Sequence, residues 1–321
     1  MRPGRAVITL AVAAVLVASS ARRRRRRGTP QLVAGEFVNG MGYVRLGTGA
    51  RTLLWIPDPS HSGDLTRDAP AGTEPPRSGY LKVMATALRP FAEDGYSVFL
   101  VGHKPDLPRG CSVADLAEDY ARVMVEEFGG KVDLVVADSG GGAIGFCLAA
   151  AHPDRFGHIA FVAAAHTMPE EARAADLTSA RLLSAGRKTE AAEVMVTYLN
   201  PGLPAWLRRL MASVVARVSF PAEYNPGDVL IAAEALGAFD GRQVLPTVTV
   251  PVLLICGDRD RFVPQAIYQQ TADLLPDCTL TFYEHKGHLG TLTDKRLPHD
   301  VLGFARPQLP AQPRDGAEVV V

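Results

Sequence analysis

A chain of 321 residues with 47% hydrophobic content is long enough to bury a sizeable core and too apolar to be disordered or fibrous. Its formal net charge of zero is unevenly spread: residues 1–27 hold eight arginines and no acid, leaving 26 basic against 34 acidic residues, a net of −8, in the remainder. That balance excludes a globally basic nucleic-acid surface, and four scattered cysteines (Cys111, Cys147, Cys256, Cys278) without C-x-x-C spacing favour buried free thiols over a disulfide framework or a metal site.

The segment from Ala6 to Ala18 is apolar apart from Thr9, follows Arg2 and Arg5, and precedes the small residues Ser19, Ser20 and Ala21, a pattern like a secretory signal. Arg22 to Arg27 follow directly and oppose export, and the run is shorter than the roughly 18 apolar residues a membrane span needs. Residues 1–30 therefore read as a signal-like or disordered segment. A cytoplasmic body is expected, with anchoring or secretion through residues 1–21 as the alternative and any membrane contact confined to residues 6–27.

Downstream, Gly35 to Tyr43 and Tyr43 to Leu46 read as short strands with glycine turns, and Arg51 to Ile56 as a buried strand stopped by Pro57. Pro57 to Ser78 is a long loop rich in Pro, Gly, Ser and Asp. Gly79 to Glu93 suits a helix, Tyr96 to Val101 a strand, and Ser112 caps a helix with apolar positions Val113, Leu116, Ala117, Tyr120 and Val123, ended by Gly129-Gly130. Val132 to Gly145 (VDLVVADSGGGAIG) then reads as a buried strand turning sharply into a helix, and His158 to Ala164 as another buried strand. From Thr167 to about Leu245 only helical signals remain, among them an apolar stripe of Leu207, Leu210, Met211, Val214, Val215 and Val218. Strands return at Val250 to Cys256 and Thr279 to Tyr283, with helices at Gln265 to Leu275 and near Asp300 to Phe304, before a Pro-rich tail, 307–321, read as disordered. Apolar strands alternating with helices predict an α/β protein with a mostly parallel central sheet covered on both faces.

Ala137-Asp138-Ser139-Gly140-Gly141 places a serine between small residues two positions away on either side, as a strained strand-to-helix turn requires. Making Asp138 the nucleophile would put Val136 at a position that demands a small side chain. No Gly-Lys-Ser/Thr ending supports a phosphate loop, and the dinucleotide fingerprint fits poorly. Gly257-Asp258-Arg259-Asp260 stands after one late strand and Lys286-Gly287-His288-Leu289-Gly290 after the next. Serine, then acid, then histidine in this order resembles the α/β-hydrolase fold family, over roughly Gly40 to Phe304.

The resemblance implies a core of residues 31–166 and 246–306 with an inserted helical cap at 167–245. It implies Ser139 as nucleophile, His288 rather than His285 as base, and Asp260 rather than Asp258 as the acid that orients it, with Asp240 a weaker alternative. It also implies no cofactor and no metal, and a small or medium apolar ester, thioester or related acyl substrate cleaved through an acyl-enzyme. Trp206 and Met211 could line an apolar pocket or simply pack the insertion to the core; His166 could face the pocket or be structural.

The oxyanion hole departs from the family. Gly140 N–H is one expected donor, but the loop after the Arg51 to Ile56 strand puts Pro59, which has no N–H, at the second donor position and Asp58 where glycine is expected. Either the loop shifts so that Ser60 supplies the donor, or a missing donor costs about 2.7–4 kcal/mol of transition-state stabilisation. The alternative function is thus a weakly catalytic or non-hydrolytic member of the fold: a ligand-binding or regulatory protein, a lyase or an acyltransferase.

Overall fold

A computed structural model of the chain describes residues 31–59, 65–66, 69–75, 79–219 and 225–306. The expected terminal segments, 1–30 and 307–321, and Ser60 lie outside the described residues. Eight strands are present among those described: β1 (Leu32–Glu36), β2 (Gly42–Leu46), β3 (Arg51–Ile56), β4 (Tyr96–Val101), β5 (Val132–Asp138), β6 (Phe156–Val162), β7 (Val252–Gly257) and β8 (Cys278–Tyr283). They form one sheet in the order β1-β2-β4-β3-β5-β6-β7-β8, antiparallel at β1-β2 and β2-β4 and parallel elsewhere.

Alternation of side chains along each strand gives the sheet two apolar faces. Leu53, Trp55, Leu134, Val136, Leu253 and Ile255 face one side, covered by helices α1 (Gly79–Glu93) and, later in the chain, Leu297–Ala305. Leu54, Ile56, Val135, Ala137, Leu254 and Cys256 face the other, beneath α2 (Val113–Glu127) and α3 (Gly141–Ala151). Each fully buried Leu, Ile or Phe contributes roughly 1.5–3 kcal/mol, so this double-sided burial holds the strand ends rigidly. Ser112 caps α2 as expected, with Asp115 completing the reciprocal capping box.

Among the described residues, four α-helices intervene between β6 and β7: α4 (Glu170–Ser184), α5 (Lys188–Leu199), α6 (Ala205–Ser219) and α7 (Pro226–Ala238). They carry small apolar cores of their own, such as Val196 with Leu203 and Met211. After β7 come α8 (Gln265–Leu274), the five-residue α9 (His288–Leu292) behind β8, and α10 (Leu297–Ala305). No helix among the described residues is long and apolar enough to cross a membrane.

Several boundaries differ from expectation for local reasons. The first strand ends at Glu36 because Phe37 and Met41 close a turn around Asn39-Gly40, where Gly40 takes a φ of 87° that glycine tolerates. β6 stops at Val162 because Ala163 turns to a φ of 53°, its N–H donating to Ile255. The stripe on α6 is divided: Met211 is buried, whereas Leu210 and Val214 share an exposed ridge with Trp206. All four cysteines are unpaired; Cys111 and Cys256 are buried, Cys147 and Cys278 only half-buried.

Candidate active site

β5 ends at Asp138, and the chain turns through Ser139 into α3. Ser139 has a φ of 50°, a left-handed conformation that costs a non-glycine residue about 1–3 kcal/mol. Its N–H donates to Val162 O at 2.9 Å, and its carbonyl accepts Gly142 N–H at 3.0 Å, which fixes the turn. Space dictates the small residues around it. A Cβ on Gly141 would lie 2.3 Å from Ile56 O and 2.6 Å from Pro57 O, and one on Gly145 would lie 2.8 Å from the Ala137 methyl. The loop after β3 thus packs against the start of α3 with no room for a side chain between them.

The structure brings Ser139, His288 and Asp260 together from three strand ends. Ser139 Oγ lies 2.9 Å from His288 Nε2, and His288 Nδ1 lies 2.7 Å from Asp260 Oδ2. Asp260 is held in place by four donors: Oδ1 accepts Phe262 N–H (2.8 Å) and Val263 N–H (3.2 Å), while Oδ2 accepts Tyr268 Oη–H (2.6 Å) besides the imidazole. Burial works against its charge, but His288 and these hydrogen bonds outweigh burial and hold the carboxyl below its ordinary value. For His288, burial again opposes charge, yet Asp260, and behind it Asp58 and Asp138, outweigh it and raise the imidazole above its ordinary value. An ionised Asp260 fixes the proton on Nδ1, so a neutral His288 presents Nε2 as an acceptor for the Ser139 proton.

Asp58 lies in front of Ser139, against the start of α3. Its Oδ2 accepts Gly140 N–H at 3.0 Å and Ser139 Oγ–H at 3.2 Å. Asp138, buried beside it, accepts the Trp55 indole N–H and the Asp58 backbone N–H. Burial, reinforced by the nearby Asp58, pushes Asp138 up to about 7 against these two hydrogen bonds. The cavity in front of Ser139 is partly open to solvent, and its wall combines Ala143, Phe262 and Val263 of the core with Met168, Leu236 and Phe239 of the helical segment.

The profile of the alpha/beta hydrolase fold family matches residues 73–295. The chain belongs to that family. A relative of Variovorax paradoxus (strain S110), named as a candidate carbamate hydrolase RutD, is 30% identical over 191 residues, covering 59% of this chain and 70% of the relative. Among solved structures, an esterase from Exiguobacterium antarcticum superposes with a TM-score of 0.62 at 15% identity, covering 86% of this chain and 99% of the esterase. An enol-lactonase from Burkholderia xenovorans LB400 gives 0.59 at 17% identity, covering 83% and 97%. These two share the fold.

Other sequence candidates lie elsewhere in this hydrolase. Asp258 accepts Lys286 N–H at 3.2 Å in the turn, and His285 is exposed with a φ of 60°. Asp240 forms an ion pair with Arg242, whose hydrogen bonds hold it at about 2, and does not touch His288. His166 is buried against Thr271 Oγ1 at 2.9 Å, and burial lowers its pKa; it does not line the cavity. Neither Trp206, which is 68% exposed, nor Met211, packed on Val196 and Leu203, lines it. Among the described residues no group of three or more His, Cys, Asp or Glu is placed to hold a metal ion. Sequence reasoning missed Tyr268, the Trp55–Asp138 pair and Asp176, a further carboxylate in the cavity wall. No local sequence signal marks them.

Proposed function

We propose that this alpha/beta hydrolase is a serine hydrolase that opens a small or medium, largely apolar ester, thioester or related acyl substrate through an acyl-enzyme on Ser139. The observation that carries this is the continuous hydrogen-bonded chain from Ser139 Oγ through His288 to buried Asp260, set at a strained turn facing a cavity. Ser139 Oγ attacks the acyl carbon as its proton passes to Nε2. The imidazolium, stabilised by Asp260, returns that proton to the leaving group, and water then repeats the sequence to free the acid. The helices between β6 and β7 act as a cap, supplying Met168, Leu236 and Phe239 as the apolar wall. Carbamate cleavage, as in the name of the Variovorax relative, falls in the same acyl-transfer class.

A fluorophosphonate probe tests this directly, since it traps an activated serine. It is expected to label the wild type at Ser139 and to leave Ser139→Ala unlabelled. Intact, folded wild type that stays unlabelled where His288 is neutral refutes the proposal.

A further inference from the structure

We propose that Asp58 is a catalytic residue of this site: as a neutral carboxylic acid it donates the second hydrogen bond to the oxyanion, and as a carboxylate it blocks the seat. The inference rests on the serine-hydrolase mechanism proposed above.

A developing oxyanion needs two donors, of which Gly140 N–H is one. Pro59, at the position that normally supplies the other, has no N–H to give. What the structure places in front of Gly140 N–H is the Asp58 carboxyl, its Oδ2 3.0 Å from Gly140 N and 3.2 Å from Ser139 Oγ. An ionised carboxylate there occupies the acceptor position itself and repels a second negative oxygen. A neutral one, with Oδ2 drawn back by about one hydrogen-bond length of ~3 Å, turns its O–H toward the incoming oxygen while Gly140 N–H is released to it.

The proton for Asp58 is within reach. Nε2 of His288, Oγ of Ser139 and Oδ2 of Asp58 form one relay of 2.9 and 3.2 Å. In the resting arrangement the imidazolium donates to Oγ, and the serine hydroxyl donates to the Asp58 carboxylate. Moving the Nε2 proton to Oγ and the Oγ proton to Oδ2 gives a neutral imidazole, a neutral Asp58 and a serine hydroxyl aimed at Nε2. No proton is gained or lost. This second arrangement is the competent one: base and acid are both in the required state, and Ser139 is poised for attack.

Further titratable groups lie around Asp58 on the elements packed against it. Asp138 at the end of β5 accepts its backbone N–H, Asp176 on α4 lines the same cavity, and Tyr80 on α1 lies within electrostatic range. Asp260 acts through His288, which forms the cationic end of the relay. The competent arrangement holds one proton on the His288–Asp58 pair, so acylation peaks in a pH window: protonating both groups silences His288, and deprotonating both leaves the carboxylate in the seat.

The test follows fluorophosphonate labelling rates of wild type, Asp58→Asn and Asp58→Ala across about pH 5 to 10, with circular dichroism at each pH. Wild type is expected to give a bell. Asp58→Asn keeps an N–H donor and removes the titration, so it should lose the alkaline limb; its acid limb then reports His288 alone beside a neutral neighbour and should not move to lower pH. Asp58→Ala offers no donor and should label about 10²–10³-fold more slowly than Asp58→Asn. Asp58→Ala as fast as wild type, Asp58→Asn with the alkaline limb intact, or folded wild type with no alkaline limb would each overturn the role of Asp58. The last needs no variant to fold. Labelling of Ser139 in wild type together with any of these results leaves the serine-hydrolase proposal standing; absence of labelling removes both.

Discussion

Asp260→Asn preserves shape and changes only the donor pattern, which makes it the sharpest probe of the site. All four partners of the carboxylate are placed to donate: Phe262 and Val263 N–H to Oδ1, Tyr268 Oη–H and His288 Nδ1–H to Oδ2. An amide accepts on one side only. With its NH2 toward the backbone, two N–H groups that cannot reverse face a third donor, at a cost of about 1–3 kcal/mol. With the NH2 toward His288, the imidazole can adapt by moving its proton from Nδ1 to Nε2, and that is the cheaper outcome. Nε2 then donates to Ser139 Oγ and cannot accept its proton. A wrong tautomer of this kind costs about 10⁴ in rate, equivalent to about 5.4 kcal/mol of barrier. Labelling by the fluorophosphonate, measured beside urea unfolding, reads both consequences. A folded Asp260→Asn that labels within tenfold of wild type refutes the assignment of Asp260 as the orienting acid.

Gly141→Ala places a methyl 2.3 Å from Ile56 O, a backbone atom that cannot swing aside, so overpacking of about 1–3 kcal/mol should outweigh the ~1 kcal/mol gain in helix propensity. Urea unfolding measures the balance, and a variant as stable as wild type would show that the two segments are not in contact. Asp138, raised to about 7 chiefly by burial, keeps a proton in the folded state that the unfolded chain releases near an ordinary value of about 3.9. Stability therefore falls as pH rises from about 4 to about 7, and Asp138→Asn, which keeps an acceptor for Trp55, should remove a pH-dependent loss on the order of a few kcal/mol. Unfolding free energies at about pH 5 and 8 that change equally in variant and wild type would contradict this.

Much of the fold was legible in the chain because the signals are local and redundant. Arg51–Ile56 and Tyr96–Val101 have the strand bounds expected of apolar runs bracketed by Gly and Pro, and Gly79–Glu93 the helical bounds. Boundaries failed where a single residue takes a left-handed turn, as at Ala163, because alanine gives no warning of positive φ. The elbow was legible for a steric reason: Ala137 and Gly141 are small because Gly145 and Ile56 O lie against them. Tyr268 was not, because its bond to Asp260 joins the first turns of a helix to a preceding loop, and a buried tyrosine in a helix looks like any core residue. Trp206 misled for the opposite reason. A large aromatic beside an apolar stripe suggests burial, yet it lies on the outward ridge of α6.

Three aspartates surround one histidine in this site, and the number of donors the fold gives each decides its charge. Asp260 receives four and stays ionised despite complete burial of its side chain, so it can support an imidazolium. Asp138 receives two, from Trp55 and the Asp58 backbone, and burial wins. Asp58 receives Gly140 N–H and the Ser139 hydroxyl, and both are groups that a substrate must claim. On the proposed mechanism, an acyl oxygen bound there takes over Gly140 N–H, one of the donors that favour charge on Asp58. The same backbone approach that forbids a side chain at Gly141 brings the Pro57–Pro59 loop against the start of α3, so one steric constraint at the elbow sets where Asp58 lies relative to Gly140 N–H and Ser139.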